Sequence, residues 1–189
     1  MEVISCTETA KLVRVALKRT FPKTKFSVRS DQYAGGASID VSWVDGPAAR
    51  LVEEVTASYA GGGFDGMIDM AYSKYSWLSP DGSATFAKVR GTIGSAGTVE
   101  SEQHLQPSFK ARLVRFGADY VFTNRRYSEG FYRRAAEAAC RRHGLDIALV
   151  SVKTTSFGAT LATDHLVEGS EYLSQLVYRE LVRRTVMGA

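Results

Sequence analysis

Residues 35–47, GGASIDVSWVDGP, alternate apolar and polar side chains and then end in a turn-forming triplet. Ile39, Val41 and Trp43 fall on one side and Ser38, Asp40 and Ser42 on the other, the period-two pattern of a strand with one buried face. Phe26 and Val28 alternate in the same way upstream. With Gly35-Gly36 lying between the two runs, the pattern predicts an antiparallel hairpin with a moderately long loop. Asp45-Gly46-Pro47 predicts the start of a helix, because aspartate caps and proline suits the first turn. The apolar face of that helix is Ala48, Leu51, Val52, Val55 and Tyr59, with Arg50, Glu53 and Glu54 outward.

Outward from this block, Val13, Ala16, Leu17 and Thr20 repeat at helical spacing, and Lys11, Arg14 and Lys18 gather on the other side. This helix is expected to start near Glu8, with Ser5 or Thr7 as cap and Ser5 to Glu8 fitting a capping box. It ends at Phe21-Pro22, since the residue before proline is pushed out of the helical region. Residues 60–110 are broken by Gly61-Gly62-Gly63, Gly91, Gly94 and Gly97. Only Ala84 to Ile93 looks like strand there, yet so long a structureless stretch is unusual in a compact domain, which predicts at least one further hairpin. Tyr120 to Phe122 then reads as a strand and Ser128 to His143 as a helix stopped by Gly144. Ile147 to Lys153 reads as an interior strand with apolar residues on both faces. A last helix is expected from a Ser170 cap to about Thr185, with Leu173, Leu176, Val177 and Leu181 inward. Together these elements predict an α+β fold: a mixed or antiparallel sheet with helices packed on it, in a single domain.

With 189 residues, 44% of them hydrophobic, the chain can bury a core of its own. No apolar run approaches the roughly 18 residues of a membrane span, and the N-terminus lacks the basic start and apolar core of a secretion signal. Cys6 and Cys140 match no metal spacing, so free thiols in a reducing, cytoplasmic setting are expected.

Three patterns resemble chemical motifs without their context. Gly61, Gly63 and Gly66 satisfy G-x-G-x-x-G, but they follow a predicted helix instead of a strand, so a helix stop plus a tight loop is the better reading. An enzyme using the Gly61 to Asp69 loop on nucleotides is the corresponding alternative. Asp65, Asp69 and Asp81 lack calcium-loop spacing and read as turn residues beside glycine. Cys140 lies on a predicted helix where a small buried side chain is expected, and His104, His143 and His165 are too scattered to nominate a base. No catalytic residue, metal ligand or cofactor site is therefore nominated, and the expectation is a protein that is not an enzyme.

Charge is the stronger signal. The net charge is only +4, but Lys110 to Arg142 holds nine Lys/Arg against three Asp/Glu, leaving the rest of the chain slightly acidic. Arg125-Arg126, Arg133-Arg134 and Arg141-Arg142 recur every seven to nine residues. With Phe131, Ala135, Ala138 and Ala139 facing inward, Arg134 and Arg141 are left exposed. Tyr127 and Tyr132 add aromatic surface of the kind that stacks on bases. Lys110, Arg112, Arg125, Arg126, Arg133, Arg134, Arg141 and Arg142 are thus the candidate surface for a nucleic acid or a protein partner. The alternative is a solvated face, because Glu129 and Glu137 each precede an arginine by four and make favourable helix-surface pairs.

The segments at 8–30 (ETAKLVRVALKRTFPKTKFSVRS), 35–47 and 61–73 (GGGFDGMIDMAYS), with Phe116 to Phe122, Asn124-Arg125, Tyr127-Ser128 and the helix ending at His143-Gly144, resemble the large polyvalent protein-associated domains, class twenty-nine. The resemblance implies a family-like α+β domain over residues 1–150. Residues 151–189 are then a C-terminal extension whose final helix packs on the same domain. It also implies a phage, plasmid or conjugative-element setting, where such modules occur in long chains thought to protect incoming DNA. No catalytic residues are established for the class, so none carry over. The expectation is a non-enzymatic mobile-element protein of the bacterial cytoplasm that binds and blocks a host defence component, with an anti-CRISPR protein as its specific form. The alternative is a nucleic-acid-binding accessory protein using the arginine-rich helix, and the apolar Leu173 to Val182 stretch permits a homodimer.

Overall fold

The computed structural model describes residues 2–87, 106–167 and 171–186, the last three without their side chains. It has the expected α+β class, with mixed and antiparallel sheets and helices packed on strands. The chain divides into two compact units. The first holds residues 1–42 and 50–124, and the second residues 43–49 and 125–189.

In the first unit, β1 (Glu2–Ile4) leads into α1 (Cys6–Thr20). The Ser5 hydroxyl accepts the Glu8 N–H, and the Glu8 carboxylate accepts the Ser5 N–H, closing the capping box that the sequence predicts. Val13, Ala16 and Leu17 are buried. The helix stops at Phe21, whose N–H returns to the Leu17 carbonyl. Next come β2 (Ser27–Tyr33) and β3 (Gly36–Val44), paired from Ser27 opposite Ser42 to Tyr33 opposite Gly36. The connecting loop is therefore Ala34-Gly35 alone, tighter than the sequence suggests, because β2 continues through the polar run Ser30-Asp31-Gln32. These side chains are exposed, so the strand carries no alternation there to read. Ile39, Val41 and Trp43 are buried as expected.

Helix α2 (Ala49–Thr56) leads into a 3-10 turn at Ala57–Tyr59. Of the glycines that follow, Gly62 and Gly63 are strand and not the loop expected there, while Gly66 does lie in a tight turn. Gly61 donates its N–H to the Ala118 carbonyl at 2.7 Å, and β4 (Gly62–Asp65) pairs with β5 (Met70–Ser73). A Cβ on Gly61 would stand 1.8 Å from the Phe116 carbonyl oxygen, so the backbones approach where no side chain fits. A second hairpin joins β6 (Ser76–Leu78) to β7 (Ala84–Phe86), so the expectation of at least one hairpin here is met twice. The expected strand to Ile93 runs past Ala87 into residues outside those described. With β8 (Arg112–Phe116) these strands form a mixed sheet of order β1-β8-β6-β7, in which β1 runs parallel to β8. Tyr59 packs on Phe116 at 5.3 Å between ring centroids and donates its hydroxyl hydrogen to the Gly82 carbonyl. β9 (Tyr120–Arg126) lies beside β3 in the order β2-β3-β9.

In the second unit, α3 (Glu129–His143) starts at an Ser128 cap, and Gly144 ends it in the left-handed conformation at φ 67°. Ile147–Leu149 is a 3-10 turn, not the start of an interior strand. The Asp146 carboxylate accepts the Ala148 N–H and holds that turn closed, which an apolar run alone does not reveal. β10 (Val152–Thr155) and β11 (Gly158–Leu161) form a hairpin, with β10 largely exposed. α4 (Leu173–Val186) buries Leu173, Leu176, Val177 and Leu181 against an alanine-rich face of α3. That face consists of Tyr132, Ala135, Ala136, Ala139 and Cys140.

Candidate functional site

The candidate cations are divided between the units: Lys110 and Arg112 belong to the first, and the six arginines from Arg125 to Arg142 to the second. Most of the arginines already have partners. Arg125 is half-buried, donates to the Asp45 and Gly46 carbonyls at 3.0 and 2.8 Å, and stands 4.7 Å from the Tyr127 ring centroid. Burial lowers its pKa below the ordinary value, the Tyr127 and Asp45 charges opposing that shift. Arg133 pairs with Glu129 at 2.9 Å and Arg141 with Glu137 at 3.9 Å, each four residues apart on α3. Arg142 lies 3.3 Å from Glu180, a carboxylate of α4 buried in the same core. In the first unit, Arg112 pairs with Glu2, while Lys110 is exposed with its ammonium 5.6 Å from the Phe109 ring centroid. Arg126 and Arg134 are exposed and form no ion pair with a described residue.

Tyr132 is buried in the core instead of presenting aromatic surface; it lies on the same side of α3 as Ala135, Ala136 and Ala139. Tyr127 is half-buried and stacked on Phe131 at 5.8 Å. Asp45 does not cap α2, which begins four residues later. It has φ 56°, and its two carboxylate oxygens accept the N–H and hydroxyl of Ser128, the cap of α3. Proximity along the chain suggested the wrong helix.

The acids and thiols take structural places. Asp65 accepts the Met67 N–H within the β4–β5 turn, and Asp81 accepts from Ser83 and pairs with Arg19 at 2.9 Å. Cys6 and Cys140 are buried free thiols. Burial raises both pKa values first, with the Asp119 and Asp146 carboxylates adding to the shift at Cys6 and Cys140 respectively. Among the described residues, no three His, Cys, Asp or Glu side chains gather to hold a metal, and no helix is long and apolar enough to cross a membrane. His143 is exposed at the end of α3, and His104 lies outside the described residues.

The feature that sequence reading missed is the tip of the β4–β5 hairpin. Phe64, Met67, Ile68 and Met70 are 54, 76, 44 and 58% exposed within seven residues, while Asp65 beside them is 2% exposed. Surface apolar residues scattered singly are ordinary, but four exposed at one short hairpin are a local concentration, with Phe64 and Met70 on opposite faces of it. The available signal was their density between Gly63 and Ala71, which the glycine-rich context made look like loop.

The architecture defines an α+β domain of small mixed and antiparallel sheets with helices on them. The chain belongs to the family of large polyvalent protein associated domain 29, whose profile matches residues 4–128. That match points to a protein of mobile genetic elements or phages. It stops at the cap of α3, so the resemblance seen in the helix to His143-Gly144 lies beyond it. No curated protein and no solved structure matches the chain.

Proposed function

We propose that this is a non-enzymatic mobile-element protein that binds a protein component of host defence and blocks it, an anti-CRISPR protein being the specific form of that role. The observation supporting a protein partner is the exposed apolar tip of the β4–β5 hairpin. Large aromatic and thioether side chains on a short hairpin suit insertion into a partner's pocket, and methionine adapts to surfaces of different shape. Blocking requires only such a complementary surface. The arginines of α3 support this reading better than nucleic-acid binding, because Arg133, Arg141 and Arg142 are already paired with carboxylates.

A phage-plaquing assay in cells carrying defined defence systems, CRISPR interference among them, tests the reading. Expression of the chain is expected to restore plaquing against at least one system, and the Phe64→Ser/Met67→Ser variant is expected to lose that protection. Loss of hot-spot contacts worth about 2 kcal/mol or more corresponds to roughly 30-fold weaker binding. Both positions are exposed, so melting temperature is expected to stay close to that of the parent. Protection against no system, or full protection by a folded tip variant, overturns the proposal.

A further inference from the structure

A cleft of about 400 Å³ in the first unit is lined by Arg14, Lys18, Pro22, Lys23, Thr24, Lys25 and Phe26. Its formation follows from the sequence. Arg14 and Lys18 are four residues apart on α1, so they share a face, and Lys11 extends that face by one turn. Phe21-Pro22 breaks the helix, the Thr24 N–H returns to the Phe21 carbonyl, and Phe26 packs its ring 6.0 Å from that of Phe21. The resulting turn carries Lys23 and Lys25 to the end of the same helix. One Nη of Arg14 donates to the Val28 carbonyl, which fixes the guanidinium at the cleft.

All four cations are exposed, none forms an ion pair with a described residue, and no carboxylate lines the cleft. The alternative, that they serve the helix dipole, explains only part of this. A helix C-terminus carries about half a negative charge, confined to its last turn. Lys18 and Arg19 already answer it, and Arg19 is also held by Asp81. Arg14, Lys23 and Lys25 add three further positive charges, more than that half charge requires, so the cleft carries a net positive charge of its own. Its apolar lining, Pro22 and Phe26, distinguishes it from a merely solvated lysine face.

We infer that this cleft binds the phosphodiester backbone of a nucleic acid, its four cations contacting successive phosphates. Cations beside an aromatic side chain are the combination that single-stranded binders use, and flexible lysines tolerate any base sequence. This surface shares no residue with the hairpin tip or with the arginines on α3; the sequence gathers its Arg14 and Lys18 on one helix face but does not place them among the candidate binding cations.

Fluorescence anisotropy with labelled 20-nucleotide single strands and duplexes tests the inference. Binding to at least one of the two is expected, and the better binder identifies the source of the backbone. Four phosphate contacts predict affinity falling roughly 50-fold on single strands, or about 150-fold on duplex, between about 50 and 200 mM salt. Lys18→Glu/Lys23→Glu/Lys25→Glu is expected to abolish binding while leaving the circular dichroism spectrum unchanged. Should the charge reversals unfold the chain, Lys18→Gln/Lys23→Gln/Lys25→Gln is expected to weaken binding and lower the salt slope by about two to three. Arg126→Glu/Arg134→Glu is expected to bind like the parent. Absence of binding at low salt overturns the inference. So does loss of binding in the Arg126/Arg134 variant with retention in the lysine variant, or binding of polyglutamate in preference to either oligonucleotide.

Discussion

Asp45 shows how one residue can be recognised as special and still be assigned the wrong task. Aspartate before Gly-Pro is a good helix-start signal, but a carboxylate does not choose its acceptor role by sequence distance. At φ 56° it turns the chain after β3, and both its oxygens hold Ser128, whose own hydroxyl accepts the Phe131 N–H. Removing the carboxylate loses two hydrogen bonds to a charged group, each worth roughly 1.5–3 kcal/mol, while the Cβ held in the left-handed region costs about 1–2 kcal/mol in the parent already. Asp45→Ala loses both hydrogen bonds, keeps the Cβ and its cost, and is expected to destabilise by about 3 kcal/mol. Asp45→Gly removes the backbone cost and should recover about 1 kcal/mol relative to alanine. Asp45→Asn tolerates the same backbone, keeps an oxygen for the Ser128 N–H and offers an N–H to its hydroxyl, so it should be mildest of the three. Urea midpoints at constant slope measure the series. Equal midpoints for alanine and asparagine would remove Asp45 from its place at the start of α3.

Among the elements, those decided by local chemistry were legible and those decided by distant backbone were not. The Ser5–Glu8 capping box, the α3 helix between Ser128 and Gly144, and the Leu173, Leu176, Val177 and Leu181 stripe of α4 all follow from side chains within a turn or two of each other. Gly61 leads into the strand at Gly62-Gly63 against the backbone of Phe116, Ala118 and Asp119, more than fifty residues on, and nothing in the glycines records that. Ile147 to Val150 failed for the opposite reason: its apolar pattern was clear, but a single Asp146 hydrogen bond closed a turn instead. The candidate site was legible as charge and not as pairing, since Glu180 lies on another helix from Arg142. The glycine strand gives a sharp expectation. In Gly61→Ala the new methyl meets a carbonyl oxygen at 1.8 Å, which no rotamer change relieves. Overpacking of this kind typically costs about 1–3 kcal/mol, and a backbone obstacle places it at the upper end, about 3 kcal/mol. Differential scanning calorimetry is expected to show a clear drop in melting temperature. An unchanged transition would mean that β4 can part from Phe116 without cost.

At the scale of the whole molecule, the buried ionisable groups set the pH at which the fold weakens, and most of them point the same way. Burial raises the pKa of the Cys6 and Cys140 thiols above 9.0, and of the Tyr59, Tyr127 and Tyr132 hydroxyls above 10.0. A group whose folded pKa is raised contributes stability fully present below its unfolded value, which is lost as pH climbs through the folded value. Loss therefore begins near 9.0, where the unfolded thiols ionise, and steepens past 10.0, where the unfolded tyrosines join them. Lys74 acts in the other direction: burial lowers its pKa from 10.5, so its share of stability grows as pH rises toward that value. One such lysine offsets part of the loss from two thiols and three tyrosines. Each thiol can contribute up to about 1.4 kcal/mol of loss by one pH unit above its unfolded value. Urea unfolding between about pH 8 and pH 10 is expected to show stability falling with pH, and the slope is expected to be shallower in Cys6→Ala/Cys140→Ala. The comparison is of slopes, because alanine also loses some packing at every pH. Since one thiol lies in each compact unit, the single variants assign the alkaline loss to one unit or the other. A parent whose stability is flat to pH 10, or a double variant with the parent's slope, would show that neither core resists ionisation of its cysteine.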